Sequence, residues 1–440
     1  MEEIQNKEET DMTYLLIHSY SELNKGDAGI ILATVQNIRK QDENAKIYLY
    51  STYGYNDLQF KEQHTFLKQY VEGIVPAIFP ELFLKIGSKH YYGSKAKAIA
   101  LLWHLFRSSL ILLSPVTFSF LLQKEEKNSM KIMQESDFVI SKGGSFLCNE
   151  GSNREFFALI RLFHPFFLAK KLQKRTLILG QSLGPVKGYF SQLFFRKSIK
   201  FVDEIYIRET KTLDLLKEDN IILTNTHLVP DMAFALCDND GLIDEIVSTG
   251  THFKVGMTIV DFPFKDQREK NSYMQAMCDA MVYLIDNHDA KIYIYPQVIT
   301  KFPDGTTDMR LTQQIYNLVP HHKKKSVIVL TDNYSPMDLK KMYGLMNIFI
   351  ATRLHSAIFA TGNFVPTLNI SYHGTKSEGT FQLLNLEEWI YRITDVNSKD
   401  LISKIELLIK KQDEIKSKLK IKAPELKKQI ENTFLTIIKD

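Results

Sequence analysis

Two successive series of short apolar runs, each run alternating with a helix-like pattern, constrain this chain more than any other feature. In the first series, 14–18, 46–50, 138–141, 176–179 and 204–207 read as strands. Between 27 and 39, Ile30, Ile31, Ala33, Thr34 and Ile38 fall at helical spacing, and 210–216 shows a similar pattern. Asn239-Asp240-Gly241 is a turn-rich break. A second series of strand-like runs follows at 254–260, 291–295, 326–331, 347–351 and 367–371. Helical patterns lie between them near 273–287, 308–318 and 335–346. Ser335-Pro336 is a good helix start, a capping serine followed by a proline at the first helical position. Strands alternating with helices imply parallel sheets covered on both faces.

A chain of 440 residues is too long for one ordinary core. The expected class is therefore α/β, with two Rossmann-like domains facing a central cleft. The first domain spans 1–240 and carries an apolar insertion at about 75–130. The second spans 241–397. Residues 398–440 form a Lys-rich helical tail with Ile and Leu at helical spacing, divided near Pro424. In open parallel sheets ligands sit beyond the carboxyl ends of the strands, so the loops there should carry the chemistry.

Net charge is +4, too mild to imply nucleic acid as a partner. Cys148, Cys237 and Cys278 are scattered, with no C-x-x-C pair, so neither a disulfide framework nor a cysteine zinc site is expected. No H-E-x-x-H or His/Cys cluster occurs, and no metal is expected. Asp238-Asn239-Asp240 superficially matches a metal-binding D-x-D pattern, but its Asn-Asp-Gly character reads as a turn. The polar, acidic N-terminus is unlike a secretory leader, which gives a cytoplasmic expectation. Residues 99–123 are strongly apolar but interrupted by His104, Arg107, Ser108, Ser109, Ser114 and Pro115. Residues 154–174 mix aromatics with Arg and Lys. Three readings stay open: helices packed in the domain, a surface lying on the inner face of the cytoplasmic membrane, or a membrane span, since 99–123 is close to spanning length.

Arg353-Leu354-His355-Ser356 stands where a buried-looking run ends and an apolar helix begins. A fixed cation and a group titrating near neutrality at a helix start suit anion binding and proton transfer. Lys376 is a further cation past the next run. In the first half, Asn24-Lys25-Gly26-Asp27 precedes the first helix, where Asp27 can cap the helix or act as a carboxylate base. Lys142-Gly143-Gly144-Ser145 can present backbone N–H groups to an anion. Gly180-Gln181-Ser182-Leu183-Gly184-Pro185 is similar in character. Arg208 can aim its planar fork at phosphate or carboxylate, or pair with Glu209 or Asp203. Gln297, after Pro296, is a candidate hydroxyl-binding group.

These loops, in this order, resemble the polysaccharide pyruvyl transferase family. The carrying residues also include Pro230-Asp231-Met232-Ala233-Phe234, Pro296-Gln297 and Ile370-Ser371-Tyr372-x-x-x-Lys376. Two positions depart from the family pattern: Ser145 stands where a third glycine is frequent, and Glu209 where Asp is frequent. The resemblance implies a GT-B-like fold and transfer of the enolpyruvyl unit of phosphoenolpyruvate to a sugar, closing a pyruvate ketal. It places Arg208, Arg353, His355 and Lys376 among donor-binding and catalytic groups. His355 is the candidate general acid, Asp27 the candidate base, and Arg353 a catalytic cation. Asn24, Gly143, Gly144, Ser145, Gln181, Gln297 and Ser356 are candidate substrate contacts. No cofactor is expected beyond the donor. The expected partner is a saccharide acceptor, lipid-linked if the apolar insertion meets a membrane. Two other readings compete: a nucleotide-sugar glycosyltransferase on the same architecture, and a non-catalytic saccharide-binding protein.

Overall fold

The computed structural model describes residues 12–81, 94–261, 264–299, 308–372 and 374–439. Its first sheet contains β1 (Thr13–Ser19), β2 (Lys46–Ser51), β3 (Gly73–Val75), β4 (Phe138–Ser141), β5 (Arg175–Gln181), β6 (Glu204–Ile207) and β7 (Thr226–Leu228), in the order β3-β2-β1-β4-β5-β6-β7. The second contains β8 (Phe253–Met257), β9 (Ala290–Ile294), β10 (Val327–Val329), β11 (Ile348–Ala351), β12 (Thr367–Ser371) and β13 (Ile390–Arg392), in the order β10-β9-β8-β11-β12-β13. Every pairing is parallel. Each sheet reverses direction once, between β1 and β4 and between β8 and β11. Those reversals open a crevice at the carboxyl ends of the strands, where doubly wound sheets bind ligands.

Central strands such as Phe138–Ser141 and Ile348–Ala351 are buried along their whole length, which is why their sequences are apolar without alternation. Local signals agree with the helices. Ser335 forms a reciprocal capping box with Asp338 ahead of Pro336. Asn24 caps the helix Lys25–Gln41.

The tail departs from expectation. It divides at Lys411 rather than near Pro424, and one helix, Gln412–Lys439, runs through the proline. An interior proline costs about 3 kcal/mol. The stripe Leu419, Ala423, Leu426, Ile430, Phe434 and Ile437 is buried and offsets that cost through apolar contact. The preceding helix, Ser398–Lys410, rests on the second domain, where Ser398 Oγ donates to Asp279 Oδ2 (2.6 Å). The last helix returns to the first domain. Lys40 pairs with Glu431 at 2.9 Å, and Arg175 Nη1 donates to the Ile437 carbonyl at 3.3 Å.

The two apolar segments part company. Residues Asn153–Lys171 form a helix that buries Leu159, Leu162, Phe163, Phe166 and Leu168 in the core, so packing is the outcome there. The helix Ser94–Leu113 instead buries Arg107 and leaves an apolar face outside. Among the described residues, no helix is long and apolar enough to cross a membrane. Arg107 and Glu126 form a buried pair at 2.9 Å that fixes this helix to Lys124–Glu135. Removing one partner strands the other charge. Glu126→Ala should therefore destabilise the first domain by about 3–5 kcal/mol, measured as a lowered urea midpoint. An unchanged midpoint would refute that role.

Candidate active site

A short backbone strap joins the two domains beside the cleft. Asn24 bridges antiparallel to Val298. Lys25 N–H donates to the Gln297 carbonyl (3.0 Å), and Ile299 N–H donates to the Leu23 carbonyl (3.1 Å). The strap lays the start of helix Lys25–Gln41 against helix Leu354–Gly362. A Cβ on Gly26 would sit 2.2 Å from His355 Nδ1, and one on Gly29 would sit 2.7 Å from Phe359. Both glycines are therefore needed for close approach. The imidazole of one domain rests on the backbone of the other.

On its far side His355 meets Asp231. Nε2 lies 3.6 Å from Asp231 Oδ2, an ionic contact just beyond hydrogen-bond range. Arg208 Nη1 donates to the same Asp231 oxygen at 2.6 Å, and Arg208 Nε donates to Ser182 Oγ at 2.6 Å. Glu209 completes the cluster, 3.3 Å from Arg208 Nε and accepting from Ser182 and Thr212. Burial opposes ionisation of Asp231, but His355, Arg208 and the Ala233 N–H outweigh it and hold the carboxyl well below the usual carboxylate range.

Arg353 is held from the other direction. Nη2 donates to the buried Asp308 at 2.5 Å and Nη1 to the Tyr372 hydroxyl at 3.2 Å. Asp308 also accepts the backbone N–H groups of Gln297 and Val298, both at 3.0 Å, so the strap and the arginine share one carboxylate. Lys376 lies on helix Gly374–Leu383. Burial, and then the charge of Arg208, bring its ammonium down to about 8.

In the first domain, Asn24 Nδ2 donates to Asp27 Oδ2 (2.7 Å), while the fully buried Lys142 pairs with Asp27 Oδ1. Lys142 lies near the rings of Tyr20 and Phe146, 5.3 and 5.6 Å from their centroids. Asp27 keeps partial exposure and is oriented by Asn24 and Lys142.

A family model described as polysaccharide pyruvyl transferase matches residues 24–374. The chain belongs to that family. The structure brings Asp27, Arg208, Arg353 and His355, all within the matched residues, and Lys376, just beyond them, to the facing ends of the two sheets. It shows a different use for several other residues. Gly143 lets the Gly180 carbonyl approach, since an added Cβ would lie 2.7 Å away. Gly144, at φ +146°, bonds through N–H to Gly180 and through its carbonyl to Ser182. These glycines therefore zip two strand-end loops together, with half-buried Ser145 beside them. Gln297 turns its amide to the Tyr343 hydroxyl (3.2 Å). Ser356 is buried, bonded to the Arg353 carbonyl and to Thr258. Gln181 is also buried, yet neither polar atom of its amide has a hydrogen-bond partner among the described residues.

Amylovoran biosynthesis protein AmsJ of Erwinia amylovora is 21% identical over 427 residues, covering 93% of this chain and 94% of that one. Solved structures share the fold at low identity. A putative UDP-N-acetylglucosamine 2-epimerase from Listeria monocytogenes has a TM-score of 0.59 at 12% identity, covering 98% and 96% of the two chains. Anabaena Alr3699/HepE, in complex with UDP and glucose, has a TM-score of 0.55 at 11% identity, covering 97% and 98%. The architecture of this family member is thus the α/β, two-sheet GT-B-like fold.

Sequence reasoning passed over Asp231, Lys142, Asp308 and Tyr372 as site residues. Asp231, Lys142 and Tyr372 stood inside quoted motifs, but Asp308 carried no local signal. The Gly26–His355 contact gives a direct test. Gly26→Ala should lower stability by about 1–3 kcal/mol through overpacking. Most of that loss should disappear in Gly26→Ala combined with His355→Ala. Additive losses in the thermal unfolding cycle would contradict the contact.

Proposed function

We propose that this cleft transfers the pyruvyl unit of phosphoenolpyruvate to two hydroxyls of a saccharide used in surface polysaccharide assembly, releasing phosphate and leaving a ketal. The observation that carries the reading is the Asp231–His355 pair beside three cationic side chains. Asp231 Oδ2 on one side and the Gly26 backbone on the other fix the position of the His355 ring. His355 is the proposed group that gives up the proton to the bound donor.

In the proposed sequence His355 protonates the methylene carbon, which becomes the ketal methyl. The adjacent carbon turns electrophilic, and the first sugar hydroxyl adds while Asp27 takes its proton. The carbon–oxygen bond to phosphate then breaks, and phosphate departs with the proton that Asp27 holds. The second hydroxyl adds to the same carbon and closes the ring, and its proton restores His355. Arg353 and Lys376 suit the donor's carboxylate and phosphate. Arg208, held by Asp231 and Glu209, sets the charge of the wall behind them. Unpartnered polar atoms at Gln181, Arg353 Nε and Ser371 support a ligand-facing surface, since buried polar groups ordinarily find partners. The route uses no cofactor beyond the donor.

Phosphate release from phosphoenolpyruvate with saccharide acceptors tests the proposal. His355→Ala and Asp231→Asn should each lower turnover by on the order of 10²–10⁴ without unfolding the chain. Turnover of a sugar nucleotide with none of phosphoenolpyruvate would overturn it.

The pH dependence has a defined sign. Lys376 is charged below about 8 and neutral above, so affinity for the anionic donor should fall as pH rises through that value. Lys376→Arg stays charged and should abolish this limb of the KM profile. An identical high-pH limb in that variant would remove Lys376 from donor binding.

A further inference from the structure

The helix Ser94–Leu113 buries Ile111 in the core on its inner side and carries a second apolar face outside. Ile99, Leu102, Trp103, Phe106 and Leu113 are 49–72% exposed and recur at helical spacing, while Arg107 and Ser108 are buried. Val116 and Phe120 continue the exposed apolar surface. The polar anchor explains how this orientation holds: Arg107 reaches Glu126 and the Ile78 carbonyl on the inside. Exposure of so much apolar surface to water is unfavourable unless something covers it.

We propose that this face docks on an anionic membrane surface. Charge selects that occupant. Apart from Arg107, which Glu126 neutralises on the inside, the helix sequence holds Lys95 and Lys97 and no acidic residue, and none occurs between Glu81 and Glu125. Lysines in the first turn oppose the helix dipole, so helix stability does not account for them. Anionic headgroups do, with Trp, Phe and Leu entering the interface beneath. A second copy across a two-fold axis would bring like charges together without a compensating acid.

The patch is connected to the cleft. Residues after β3 carry it there: Phe79 stacks on His104 of the helix, and Glu81 pairs with Arg161 at 3.5 Å. Arg161 lies beside Tyr20, whose ring faces Lys142, the partner of Asp27. The membrane would thus lie along the side of the proposed acceptor base, which suits a lipid-linked saccharide. That last step rests on the proposed transfer; the docking does not.

The chain contains two tryptophans. Trp389 is 1% exposed and gives a constant background, so Trp103 reports the patch. The full chain should float with phosphatidylglycerol-containing vesicles and not with pure phosphatidylcholine. Its emission should shift to the blue and be quenched by brominated acyl chains. Leu102→Glu and Phe106→Glu should lower the bound fraction roughly tenfold or more, with unchanged thermal unfolding and unchanged turnover of a water-soluble acceptor. Failure of wild-type protein to float would overturn the proposal. So would a blue shift that depends on protein concentration without lipid, which would assign the face to a second copy. Because flotation needs no donor or acceptor, either result stands apart from the fate of the transfer reaction.

Discussion

A single buried carboxylate organises the cleft. Asp231 belongs to the first domain and faces Arg208 of that domain and His355 of the second. Burying an ionised carboxylate costs several kcal/mol unless partners replace its water. Here one partner arrives only when the domains meet. The approach of the domains and the charge of the site are therefore one event. Gly26 has no side chain to hold His355 away, and the strap at Asn24–Val298 sets the distance. Asp308 repeats the logic across the cleft, tying Arg353 to the backbone that forms the strap.

The inner strands were legible because buried parallel strands must be apolar on both faces, as at 138–141 and 348–351; the short strands 73–75, 226–228 and 390–392 carried no such run. The strand-end loops were legible where polar or glycine-bearing residues interrupt a run, as at Lys142-Gly143-Gly144 and Arg208-Glu209. Side-chain direction was not. Gln297 and Ser356 stand at strand ends as expected, yet both turn inward to Tyr343 and Thr258. Gly180, at φ +63°, introduces a local shift in the pairing of β5 with β6 next to Gln181, a feature no residue spacing encodes. Asp231 and His355 are far apart in sequence, so their pairing depends on tertiary geometry alone. The helix through Pro424 shows tertiary burial overriding a strong local breaker.

The apolar insertion illustrates a different limit. Composition identified 99–123 and 154–174 as equally ambiguous, and periodicity does not say which face turns inward. The deciding contact is polar. Arg107 with Glu126 pins one helix with its aromatic face outside, whereas Leu159, Leu162 and Phe166 draw the other into the core. A charged residue in an apolar run thus marks the anchored side rather than the wet one.

The central claim is that His355 protonates the donor's methylene carbon. The most direct measurement is mass spectrometry of the ketal formed from phosphoenolpyruvate and acceptor in deuterated water. The account predicts one solvent deuteron in the product methyl group, with no ketal from His355→Ala. A ketal methyl without solvent deuterium, or full ketal formation by that variant, would contradict it.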